Sequence, residues 1–252
     1  MKKIATTCIL VSLLIWPGAL ISDAQESAGL NFGADLASRY IWRGINLGGP
    51  SPHIQPFIEY TAGSSGLAAG FWGSYGLGAG SAITEADFYI SYTPVELFTF
   101  TVTDYFFPSD IPFGGDEYFN YRKGATGHTI EGMARFNGTE RFPFSVLFAV
   151  NLYGADGTDP MGNNYHAKYL EAGYSFSAGG ASIETFAGFA LDNPDTGSGA
   201  AGWYGDSGGL INLGFTISGN ISLSEMIALP AFSTLVVNPE AGNIYMVFGL
   251  SF

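Results

Sequence analysis

The chain has 252 residues, with 22 acidic and 9 basic side chains and a formal net charge of −13, a balance that argues against a nucleic-acid partner. Only 12% of its residues are charged, whereas soluble domains usually carry about twice that share, while 15% are aromatic and 36 are glycine. That mixture suits strands facing lipid with aromatic side chains at the interfaces, and no stretch after Ile21 is long enough for a transmembrane helix, which excludes a helical membrane protein.

The amino terminus sets the expected compartment. Lys2 and Lys3 precede an apolar run from Ile4 to Ile21, broken at Pro17–Gly18, and small Ser22 and Ala24 stand before Gln25. This is the charged region, apolar region and small-residue exit of a secretory signal peptide, expected over residues 1–24 and cleaved from a barrel of residues 25–252. Lys2, Lys3 and Asp23 fall in that leader, so 7 basic and 21 acidic residues remain, a formal −14. The single cysteine, Cys8, leaves with it, so no disulfide or thiol chemistry is expected.

Twelve alternating segments follow, each with one apolar and one small or polar face, as expected for strands whose side chains alternate between lipid and lumen. The first spans Leu30–Trp42, with Asn31, Asp35 and Arg39 inward; the second, Pro52–Ala62, sets Ile54, Ile58 and Tyr60 against His53, Gln55 and Glu59. Leu67–Tyr75 and Ile83–Thr93 follow, the latter with Glu85, Asp87 and Tyr89 inward. Glu96–Phe106 sets Phe98, Phe100 and Val102 against a threonine row, and His128–Phe136 turns Glu131 and Arg135 inward. Phe142–Tyr153, Tyr165–Phe176 and Ala181–Leu191 continue the pattern, the last two with Glu171 and Glu184 inward. Leu210–Ser218 is clean, whereas Met226–Val237 contains Pro230, where a bulge or local break of the ladder is expected. Asp104 and Lys168 have outward parity and are expected at a rim, where a charge reaches water.

The last segment, Asn243–Phe252, places Ile244, Met246, Phe248, Leu250 and Phe252 on one face. A terminal strand ending in Phe resembles the closing strand of bacterial outer-membrane barrels, which implies that Phe248, Leu250 and Phe252 are read by the barrel-assembly machinery. The connections alternate between long and short, and the three longest (Phe107–Gly127, Gly154–Asn164, Asp192–Gly209) share one side, as in barrels with external loops and short periplasmic turns. Together these features predict an all-β fold, a transmembrane antiparallel up-and-down β-barrel of twelve strands, whose closure leaves no unpaired edge in lipid.

The stretch Ser38–Arg39–Tyr40–Ile41–Trp42–Arg43–Gly44–Ile45 resembles the opening of the TorF-like porin family, also known as Gcw-type bacterial proteins. Tyr92–Thr93–Pro94 leading to Asp104–Pro108, Leu229–Pro230 running to Val237–Glu240, and the ending Phe248–Phe252 fit it too. The resemblance implies an outer-membrane barrel and a pore, but no substrate and no cofactor.

Inward parity assembles Asp35, Glu59, Glu85, Asp87, Glu131, Glu171 and Glu184 against Arg39 and Arg135 as pore-lining candidates. One expectation is a water-filled acidic passage for neutral or cationic small solutes; the other is a closed interior of hydrogen-bonded pairs, since unpaired burial is costly. Arg39 and Arg43, flanking Trp42 on the inward face, suit either a constriction or a structural wall salt bridge, with Arg39 in reach of Gln55 or Glu59. Tyr40, Trp42, Trp72, Tyr92 and Tyr105 are expected in the interfacial girdles. A structural or adhesive barrel acting through its long loops is the alternative function. No enzyme is expected: His53, His128 and His166 lie at the long-loop ends of segments, and no motif ties a serine to them. Asp156–Asp159 and Asp192–Asp195 suit either a divalent cation or ordinary turns, and no metal is expected.

Overall fold

A computed structural model describes residues 28–78, 83–108, 117–224 and 227–252; the expected leader and Met226 lie outside them. Fourteen strands occur among the described residues. They are β1 (Gly29–Ala37), β2 (Ile41–Trp42), β3 (Ile45–Asn46), β4 (His53–Thr61), β5 (Leu67–Gly76), β6 (Glu85–Val95) and β7 (Phe98–Phe106). Then come β8 (His128–Phe136), β9 (Phe144–Gly154), β10 (Lys168–Ala178), β11 (Ala181–Ala190), β12 (Gly209–Ser222), β13 (Ala228–Asn238) and β14 (Asn243–Ser251). Twelve of these close into one antiparallel barrel in sequence order, and β2 and β3 form a separate two-stranded ribbon.

The alternation of the sequence becomes the wall of the barrel. Outward positions carry bare apolar side chains, Phe32, Phe71, Ile90, Phe100, Ile217 and Ile244 among them, while their inward neighbours Asp35, Glu85, Asp87, Glu131 and Asn151 are buried. This inverts a soluble fold: the apolar face has no protein to cover it, so it needs an apolar surrounding. Within the wall the register slips at three places: between Tyr92 and Val95, Ile130 and Glu131, and Gly188 and Phe189. The first coincides with Pro94, which has no N–H to give a ladder. Pro230, by contrast, stays in register opposite Asn220 and makes no bulge. It lies beyond the last β13–β14 partners, Ala231↔Leu250, so at that height β13 is paired on one side only.

The closing seam is short. Asp35↔Ser251, Leu36↔Leu250 and Ala37↔Gly249 are its only ladder partners. Reciprocal bonds between Ala34 and Phe252 (3.3 and 3.0 Å) and one from Ser38 N–H to the Phe248 carbonyl (2.7 Å) extend it. Ser38 Oγ also accepts from Phe248 N–H at 2.9 Å, a side chain replacing a missing ladder carbonyl.

The largest departure from the expected layout follows Ala37. The first segment was expected as one strand to Trp42, but the chain leaves the wall and turns into the barrel. Arg43 (φ 48°) and Gly44 (φ 80°) make a two-residue turn, with Ile41↔Asn46 and Trp42↔Ile45 paired across it. Positive φ at both central residues is what a tight hairpin of this hand demands. Glycine is obligatory at the second, where a Cβ would stand 1.8 Å from the Ile211 carbonyl oxygen.

Candidate functional site inside the barrel

The infolded segment Tyr40–Gly44 is almost wholly buried, and its contacts cross the interior from wall to wall. The Arg43 guanidinium meets Glu131 of β8 in a two-point pair, Nη1 to Oε2 at 2.6 Å and Nη2 to Oε1 at 2.9 Å. Nη1 also donates to the Tyr204 hydroxyl at 2.6 Å, and Tyr105 of β7 donates to Glu131 Oε1 at 3.0 Å. The guanidinium carbon lies 4.6 Å from the Trp42 ring centre and 4.5 Å from that of Tyr169. Planar, forked and weakly hydrated, arginine suits such a cage where lysine would not.

Aromatic packing completes the plug. Trp42 stacks on Tyr204 (5.7 Å, 20°) and meets Tyr105 edge-on (5.7 Å, 70°). Tyr40 leans on Trp72 (5.5 Å) and His53 (5.9 Å), and its hydroxyl donates to Glu85 Oε2 at 2.7 Å. Asn238 of β13 holds the turn from the opposite wall, donating to the Gly44 carbonyl at 3.2 Å. Tyr204 arrives from the β11–β12 connection. That connection is pinned to the β9–β10 connection by Thr158 and Ala201, whose N–H groups donate to each other's carbonyls at 2.8 and 3.0 Å. The long-loop end is therefore filled by the hairpin and capped by two bonded loops.

The expected lumen residues divide by partner. Glu131 holds Arg43, Glu85 accepts from Tyr40, and Asp87 accepts from the Phe106 N–H at 3.3 Å. Glu171 accepts from the Tyr169 hydroxyl at 2.5 Å and from Asn212 at 2.9 Å. Glu59 accepts from Tyr89 at 2.8 Å, and Arg135 stands 3.9 Å from Glu184. Asp35 is buried in the wall opposite Gln55 and Ser251. Arg39 is the exception: beyond the end of β1 and half-buried, it donates to the Gly49 carbonyl at 3.3 Å and makes no bond to Gln55 or Glu59. The hairpin turn carries it off the wall.

Two further expectations are corrected. Tyr40, Trp42, Trp72 and Tyr105 are not girdle residues; each is buried in the interior, and only Tyr92 faces outward and exposed. Asp104 does not reach water. It is 9% exposed and pairs with His128, Oδ1 to Nδ1 at 2.8 Å, under the β7–β8 connection. Lys168 sits at the rim, paired with Asp192 at 2.9 Å. Arg43, expected inward beside Trp42, does form a salt bridge, with Glu131, but from the hairpin and not from the wall; Gly44 inside a strand-like stretch is the legible sign of that turn.

Toward the short-turn end the inward face changes character. Thr99, Thr101, Ser145, Ser175, Ser182, Thr216 and Ser218 are half-buried hydroxyls, interspersed with Arg135 opposite Thr99 and Glu184 opposite Ser175 and Thr216. The histidines are occupied: His53 Nδ1 meets Ser74 Oγ at 2.8 Å in a fully buried contact, and His166 Nδ1 meets the Asn151 carbonyl at 2.9 Å. Asp159 closes its own turn, accepting from Met161 N–H, Asn163 N–H and the Asn163 amide at 2.9, 2.8 and 3.0 Å. The Asn163 side chain, aided by these N–H groups, holds its carboxyl below the usual range. Among the described residues no three His, Cys, Asp or Glu side chains converge as a metal site.

Fold and interior together define a closed twelve-stranded β-barrel stoppered at one end by its own hairpin. Residues 23–203 match the family described as a bacterial protein of unknown function, Gcw_chp, and the chain belongs to that family. No curated protein matches it.

Proposed function

We propose that the chain is an outer-membrane barrel that acts as a gated channel for small hydrophilic solutes, neutral or cationic, with the infolded hairpin as its closure. The observation that carries this reading is the Arg43 lock. A two-rung ribbon, not a continuous piece of wall, fills the long-loop end, and its tip guanidinium is paired with the Glu131 carboxylate. The exposed apolar belt supports membrane insertion, and the long connections are the external side. Phe248 and Phe252, both outward and exposed, serve as the assembly signal at the short-turn side. An acidic interior favours cations when the hairpin leaves, because Glu131 and Glu85 lose their partners in the same movement.

Planar-bilayer recording tests this. The unaltered chain should conduct in rare, small steps, and Arg43→Gln should raise the open probability with a modest cation preference. If both proteins give heat-modifiable barrels yet neither conducts, the channel reading fails. The second reading then stands: a structural or adhesive barrel, favoured by the bonded Thr158–Ala201 cap, which presents an ordered external surface.

A further inference from the structure

One segment of the long-loop end is fastened to the outside of the barrel instead of over its mouth. Asp104 and Phe106 of β7 and His128 of β8 have outward parity, yet they are only 9%, 4% and 0% exposed. The described part of the β7–β8 connection, residues 117–127, covers them. Tyr121 donates its hydroxyl to Asp104 Oδ2 at 2.6 Å, and its ring stacks on His128 at 4.0 Å and 24°. His128 is backed by Phe106 on its other side at 4.5 Å, and its Nε2 meets the Tyr118 carbonyl at 2.5 Å. Tyr153 of β9 donates to the Tyr121 carbonyl at 2.5 Å, tying the segment to a third strand.

So held, the segment presents Phe119, 89% exposed, together with the exposed neighbours Arg122 and Lys123. The turn that displays them is fixed by Asn120, whose amide donates to the Ala125 carbonyl at 3.1 Å and whose Oδ1 accepts from Arg122 N–H at 3.2 Å. Among the described residues neither cation has a carboxylate partner, and Glu117 is the only exposed acid on this stretch. An exposed pair of cations is conspicuous in a chain of net charge −13. Their place is the upper edge of the apolar belt, where an aromatic ring meets headgroups and long basic side chains extend to them. The anions found at that height are lipid phosphates.

We propose that Phe119, Arg122 and Lys123 form a docking patch for the phosphorylated headgroup of an outer-leaflet glycolipid. Phe119 enters the headgroup–acyl boundary, and the two cations take the phosphates. The proposal rests on the membrane part of the function proposed above, not on its channel part. Its test is native mass spectrometry of the full chain, refolded into mixed vesicles with a bis-phosphorylated glycolipid or its dephosphorylated form, then extracted. The chain should retain the phosphorylated lipid preferentially, and Arg122→Gln with Lys123→Gln should lower that retention on the order of tenfold. Phe119→Ser should lower retention of both lipids alike. Equal retention by the double variant and the unaltered chain, each with an intact heat-modifiable barrel, would overturn the patch alone. Loss of the preference on adding inorganic phosphate at low millimolar concentration would overturn it too, as a general anion site. A chain that never becomes heat-modifiable in either vesicle would overturn the membrane reading and the patch with it.

Discussion

The two ends of the barrel interior share one alternation pattern but hold different chemistry. At the long-loop end Glu131 meets Arg43, Glu85 meets Tyr40, and Glu171 meets Tyr169 and Asn212, while Asp35, buried in β1 just before the hairpin, has no hydrogen-bond partner among the described residues. At the short-turn end the same inward parity carries serine and threonine, half-buried and linked in pairs such as Thr93–Thr99 (3.0 Å) and Thr216–Thr234 (2.9 Å). Charges in this half are few, and two of them lie across the ladder from hydroxyls: Arg135 faces Thr99, and Glu184, 3.9 Å from Arg135, faces Ser175 and Thr216.

The contrast breaks most completely if the hairpin loses its anchor. Glu131→Gln leaves the Arg43 charge buried among rings, and breaking a buried pair from one side costs about 3–5 kcal/mol. Gly44→Ala should be as severe, because a Cβ would stand 1.8 Å from the Ile211 carbonyl at a backbone angle of φ 80°. Denaturant unfolding in detergent, followed by tryptophan emission, should register both, since Trp42 and Trp72 report on the plug. Replacing Arg43 and Glu131 together by Met and Gln should recover part of the Glu131→Gln loss, because no charge is then stranded.

A smaller break removes the charges that face Tyr40. Glu85→Gln with Asp87→Asn leaves isosteric acceptors for the Tyr40 hydroxyl and the Phe106 N–H. The expected loss is about 1–2 kcal/mol, the difference between hydrogen bonds to charged and to neutral acceptors. If these groups instead lined a wet passage, the double change would leave stability alone and lower cation selectivity. Unfolding midpoint and reversal potential, measured on one preparation, separate the two outcomes.

The wall was legible in the sequence because a strand shows its two faces locally. Segments such as Phe98–Thr103 and Leu213–Ser218 alternate without interruption, and turn residues mark their ends. The twelve-strand count follows from the same signal. The interior was not legible, because parity says that Glu131 points inward but not that Arg43, far off in sequence, lies between it and Trp42. The first segment misled for a specific reason: Tyr40, Trp42 and Arg43 keep a strand-like pattern after the chain has left the wall. Gly44, a glycine inside the strand-like stretch, was the local sign that it does so. That stretch also carried the family resemblance, so its residues mark the plug and not the first wall strand. Asp104 misled similarly, since a loop that folds back over the outside buries a rim charge that parity alone leaves in water.

The hydroxyl-lined end should be the most tolerant part of the interior, and this sharpens the contrast from its quiet side. Thr101→Ala or Ser145→Ala removes a half-buried hydroxyl and opens no cavity in packed apolar surroundings. Each should shift stability by less than about 0.5 kcal/mol, the usual range for substitutions away from networks. Neither should change the closed-state conductance, because the closure lies at the other end. In an Arg43→Gln background, however, these positions become part of the open path. Thr101→Lys should then oppose cation entry and lower the reversal-potential bias, while leaving the Arg43-intact protein unaffected. An equal effect of Thr101→Lys in both backgrounds would mean that the hairpin does not set access, and the difference between the two ends would then be one of packing alone.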